Sequence, residues 1–202
     1  MLSKIPLLIY FSFVGYFLLF GFAALQYPGG SDAFPDANSY DLFHNYWCDL
    51  MGEESKNCLP NSGAVYAKIA HVISAFGLGL FSIIFPFLFE KRAKIHRYIT
   101  ISGVLMSIFY ALILTELHDL AINLTGLSGA FVFFLAAYEM LTSKKTTVFL
   151  SFLAVVLISS FSLFIYLSQW NIYYLPFIQK IMLLSITSWM IWITWLIEKK
   201  IA

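Results

Sequence analysis

Apolar residues run almost unbroken through six stretches of this chain, and polar residues collect between them. The pattern predicts helices over about 5–25, 64–89, 98–114, 119–141, 148–167 and 175–197. Stretches of about 18 or more apolar residues are long enough to cross a bilayer. A core helix of a water-soluble protein would carry a polar stripe along its length, and most of these stretches carry none. The break between the third and fourth helices rests on the run Glu116-Leu117-His118-Asp119, without Gly or Pro. One continuous helix is the alternative there, and it would put the later lysine pairs on opposite sides.

Charge turns the pattern into a topology. Lys4 precedes the first stretch, and Lys91, Arg92, Lys94 and Arg97 follow the second. Lys144 and Lys145 lie between the fourth and fifth, and Lys199 and Lys200 follow the sixth. With six spans all of these fall on one side, and only Lys56 lies in an opposite loop. Basic residues stay in the cytoplasm during insertion, so both termini are expected there. The expected fold is all-α: a single transmembrane domain over 1–202, a polytopic bundle of six helices with one long extracytoplasmic loop, 26–63. The expected location is a cell membrane, in bacteria the inner one. Lys4 with the apolar run after it also fits a signal peptide, but the run is long for one, and an uncleaved first helix is expected.

Composition agrees. Of 202 residues, 60% are hydrophobic and 11% charged, against about 25% charged in an average soluble domain. No extended basic surface is visible, so nucleic-acid binding is not expected. The bilayer is the expected partner, with a lipid as possible ligand.

The long loop opens on the turn signal Tyr27-Pro28-Gly29-Gly30. It carries Asp32, Asp36, Asp41, Asp49, Glu53 and Glu54 against Lys56, and it holds both cysteines of the chain, Cys48 and Cys58. An outward location permits a disulfide, and a Cys48–Cys58 bridge is expected, stabilising by roughly 2–3 kcal/mol. The aromatic segment from Tyr40 to Trp47 suits the headgroup level.

Ionisable groups at membrane depth are costly and usually face protein. Lys68, His71 and Ser74 share one side of the second helix, among small residues that permit close packing. Asp119, Asn123, Gly126 and Ala130 form a stripe on the fourth, expected to face the interior. Gly103 and Ser107 on the third make a matching small pair. With Glu116, Lys180, Asn45 and Asp49, these residues outline an outward-facing polar pocket. His44, His71 and His118, with nearby carboxylates, are the ligand types of a zinc site, which could activate water against a lipid ester or amide. A hydrogen-bonded network and an ion pathway use the same residues. His96 is expected to meet lipid headgroups, and Glu139 to pair with Lys144 or Lys145.

The passage Asn45-Tyr46-Trp47-Cys48-Asp49-Leu50-Met51-Gly52, followed by the small-residue helix holding His71, resembles a group of bacterial six-helix membrane proteins of unknown function. These are distantly like the DRAM/Sfk-type membrane proteins. Asn45, Asp49 and Leu50 carry the resemblance, which implies six helices with inward termini and supplies no reaction. The chain also invites comparison with the ceramidase and adiponectin-receptor class of metal-dependent membrane hydrolases. That class has a Ser-x-x-x-His motif, a later His-x-x-x-His pair and seven helices. Here His71 precedes Ser74 and the later pair is absent. The expected role is binding of a lipid or membrane partner at the outer pocket. A metal-dependent lipid hydrolase and a small transporter or channel are the alternatives, and whether the chain is an enzyme stays open.

Overall fold

A computed structural model describes residues 4–89 and 94–201. Lys91 and Arg92 of the basic turn lie outside the described residues. Among the described residues the fold is helical, without strands. Six helices are long and apolar enough to cross a membrane: α1 Ile5–Leu25, α2 Ala64–Ile84, α3 Lys94–Leu112, α4 His118–Thr142, α5 Thr146–Ser168 and α6 Leu175–Ile201. The boundaries follow the apolar runs closely. Helix α2 gives way to a 3-10 segment, Phe85–Leu88. Pro86 lies at its start and has no N–H with which to continue the α-helical ladder. The charged run after α3 does break the chain: residues 113–117 form turns, closed by Thr115 N–H to Leu112 O and His118 N–H to Thr115 O.

The chain divides into two compact units. One holds 1–14, 71–152 and 189–202, the other 15–70 and 153–188. In the first, helices meet through small residues. A Cβ added to Gly77 would lie 2.8 Å from Ser12 Cβ, and one added to Gly79 would lie 2.9 Å from Ser107 Oγ. Gly129 of α4 meets Met106 of α3, where an added Cβ would lie 3.0 Å from Sδ. Buried between α3 and α4, His96 Nε2 lies 3.0 Å from Glu139 Oε1. The alignment of a hydrogen bond is missing there. This corrects two expectations. His96 is largely buried against Glu139 rather than freely exposed at the surface, and Glu139 is taken by His96 and the Ser143 hydroxyl rather than by Lys144 or Lys145.

A third correction concerns α4. Asp119, Asn123, Gly126 and Ala130 are exposed, and nothing lies within 4 Å of a Cβ added at Gly126. The inward side instead carries Ala121, Thr125, Gly129 and Ala136. The two stripes differ by two residues, about 200° around a helix. Both are small and polar, so composition could not choose between them.

In the second unit, Leu50 of the loop is buried with Tyr16, Phe20, Ala23, Tyr27, Ala67 and Ala70. Trp47 stacks on Tyr16, with centroids 5.4 Å apart, and meets Phe20 edge-on at 4.4 Å. These rings fasten the loop to α1.

Candidate functional site

The loop 26–63 is a folded cap, and its polar residues hold it together. Its first turn needs glycine. Gly29 and Gly30 have φ of 131° and 79°, where an L side chain is strained. A Cβ on either would run into backbone of residues 37 and 57. The turn exposes the Gly30 carbonyl to Asn45.

Asn45 is fully buried. Its Nδ2 donates to Gly30 O at 2.7 Å and to Asp49 Oδ2 at 3.1 Å, and its Oδ1 accepts from Asp41 N–H at 2.9 Å. Both amide hydrogens are thereby used, as a buried amide requires. Asp49 Oδ2 also accepts from Tyr46 N–H at 2.9 Å, and Oδ1 lies 3.8 Å from Lys56 Nζ. Burial raises the Asp49 carboxyl above its ordinary value, against the opposing hydrogen bonds from Asn45 and Tyr46 and the Lys56 charge. The Lys56 ammonium donates to Asp32 at 2.8 Å, and that bond is the main reason its pKa is raised.

Lys180 of α6 closes the network. Its ammonium donates to the Asn45 carbonyl and, at 3.3 Å, to Pro176 O one turn back in its own helix. It also lies 5.5 Å from the centre of the Tyr40 ring, close enough for a cation–π attraction. The sequence shows no partner for Tyr40 or Tyr27. In the structure Tyr27 donates to Gly30 O and accepts from Lys56 N–H. Asn61 was also not singled out by sequence. It donates to Leu50 O and Gly52 O and accepts from Gly63 N–H, which pins the loop's return to α2. The only signal for it is its place just before α2, where its carbonyl accepts from Ala64 N–H.

Other expected site residues have separate partners. Lys68 pairs with Glu53 at 3.3 Å on the surface. Ser74 Oγ donates to His71 O. Glu116 is exposed, and Asn123 donates to the Asp119 carbonyl. The three histidines are likewise held apart in their bonding. His44 Nδ1 meets Asp41 Oδ2 at 2.7 Å, His71 Nε2 donates to Tyr110 O at 2.7 Å, and His118 Nδ1 meets Asp119 Oδ1 at 3.1 Å. Burial would raise the Asp41 carboxyl, but the bonds from His44 and Phe43 outweigh it and hold the group below its ordinary value. Among the described residues, no three His, Cys, Asp or Glu side chains are placed to hold one metal ion.

The expected disulfide is corrected too: Cys48 and Cys58 are free thiols. Each backbone is committed to its own turn. Cys48 begins the 3-10 turn Cys48–Met51, while Cys58 has φ of 61° and closes a turn with Ser55. Desolvation, then the Asp49 charge, push the Cys48 thiol up to about 11.

Compared with protein-family models, curated proteins and solved structures, the chain matches none. Its function is therefore read from the cap. Asn45, Asp49 and Leu50 form its interior. Around that interior stand exposed Phe34, Leu42, Phe43 and Leu59.

Proposed function

We propose that this is a multi-pass protein of the cell membrane, in a bacterial host the inner one, that binds a lipid or membrane partner on its cap. Both termini lie in the cytoplasm and the loop 26–63 lies outside, as the one-sided Lys and Arg favour. One observation carries the binding role. Apart from the Trp47 indole N–H, the buried polar groups of the cap bond to each other and to backbone, while Phe34, Leu42, Phe43 and Leu59 stay exposed on that ordered frame. Apolar groups held outward on an ordered surface favour an interaction site. Trp170, Tyr173 and Tyr174 are exposed in the same unit and suit headgroup depth.

A photoreactive benzophenone residue placed at Leu42 tests this in native membranes. Adducts with lipid or a membrane protein are expected at Leu42 and not at exposed Asp36. Equal labelling at both positions, or none, would sink the binding role. The topology has its own probe, because both free thiols lie in the loop. A membrane-impermeant maleimide should label intact cells at Cys58.

A further inference from the structure

The basic ends of two helices, α3 and α6, line a second site that the cap does not use. A cavity of about 680 Å³ is lined by Arg97 and Thr100 of α3, Lys200 of α6, and Ile83 and Ile101. That volume is ordinary for a ligand site. His96 forms part of its wall.

Among the described residues its lining holds two cations, Arg97 and Lys200, and no carboxylate. Arg97 is exposed and forms no ion pair among the described residues. Lys200 donates to the Leu88 carbonyl at 3.2 Å, and an ammonium has two more hydrogens to give. Among the described residues, Glu139 lies against His96 and accepts from Ser143, and Glu198 accepts from Tyr10 at 3.0 Å. The first turn of α3 has no acidic residue, so Lys94 and Arg97 add to the positive end of the helix dipole rather than offsetting it. An anion in the cavity would relieve both. The other wall is apolar. Ile83 and Ile101 are 40% and 45% exposed, so the cavity opens along a surface that a bilayer would cover.

We propose that this cavity binds an anionic phospholipid. Arg97 and Lys200 take the phosphate oxygens, Thr100 offers a hydroxyl, and Ile83 and Ile101 carry the start of an acyl chain. A soluble anion satisfies the two cations but gains nothing from the isoleucines. A zwitterionic lipid brings its own ammonium toward them. Basic pockets between helix ends are suited to acidic headgroups. The inference requires only that the helices lie in a bilayer, so it stands or falls separately from the binding role of the cap.

The full chain, purified in neutral detergent, can be titrated with phosphatidylglycerol or phosphatidylcholine, and bound lipid read by native mass spectrometry. Phosphatidylglycerol should bind about tenfold more tightly. Arg97→Gln with Lys200→Gln should abolish the preference, with unfolding in phosphatidylcholine unchanged. Lys144→Gln with Lys145→Gln removes the same charge elsewhere and should keep it. Should Lys200→Gln unfold the chain, Arg97→Gln alone should still reduce the preference severalfold. Equal binding of both lipids, an equal loss in the Lys144/Lys145 variant, or a preference that survives loss of Arg97 would overturn the proposal. So would full displacement of the lipid by inorganic phosphate, which would mark a free-anion site.

Discussion

The Lys180 ammonium donates to the backbone carbonyl of Asn45, across 135 residues of sequence. A cation in an apolar helix is thereby matched to a loop whose fold depends on a buried amide. Lys180→Met keeps the length of the side chain but leaves that carbonyl without its donor. The expected loss is about 1–3 kcal/mol, read as reversible unfolding of the purified chain in detergent. Wild-type stability in this variant would show that the bond contributes nothing net.

Asp49 and Asp41 should give the cap opposite responses to pH. Burial raises Asp49, so the folded cap keeps that proton to higher pH than the unfolded chain. Its contribution to stability is present below the unfolded value and is lost as pH rises through the folded one. Asp41 is lowered despite its burial, by its bonds from His44 and Phe43. Its contribution is present above the unfolded value and is lost as pH falls through the folded one. Unfolding followed from about pH 3 to about pH 7 should lose the first slope in Asp49→Asn and the second in Asp41→Asn.

Gly103 and Gly126 should respond differently to alanine. A Cβ at Gly103 would lie 2.6 Å from Ser82 Cβ, so α2 and α3 would have to move apart. Gly103→Ala should destabilise by about 1–3 kcal/mol. Gly126→Ala has open space and should leave the chain at least as stable. If the two changes have equal effect in thermal unfolding, the packing described for α2 and α3 is wrong.

The two thiols should take up two alkyl groups without reductant, with Cys58 reacting first because the Cys48 thiol is raised to about 11. An intact mass lighter by two hydrogens and resistant to alkylation would restore the bridge.

Much of the cap was legible by residue type. Asn45, Asp49 and Lys180 stand out because polar groups near apolar runs need partners. Their partners were not legible. Gly30 O reaches Asn45 only when the loop folds back on itself, and Tyr40 and the Asn45 carbonyl meet Lys180 only when the chain returns through α6. The cysteines show the limit plainly. Their spacing suits a bridge, but the backbone direction at each one was set by its local turn.

What the sequence alone determined is the set of six helices and their approximate extents; α3 begins at Lys94 and α6 runs to Ile201, each four residues beyond the expected 98–114 and 175–197. Length and hydropathy act locally, residue by residue, and the run Glu116–Asp119 marks a break by the same local rules, whereas the change at Pro86 inside the expected 64–89 helix came only with the structure. Which side of each helix faces protein was decided only by the tertiary structure. On α4 the stripes through Asn123 and through Thr125 are both small and polar, and only packing against α3 selects the second. A bilayer does not expel apolar side chains as water does, so hydrophobicity leaves the rotation of such a helix unspecified and close contact must fix it.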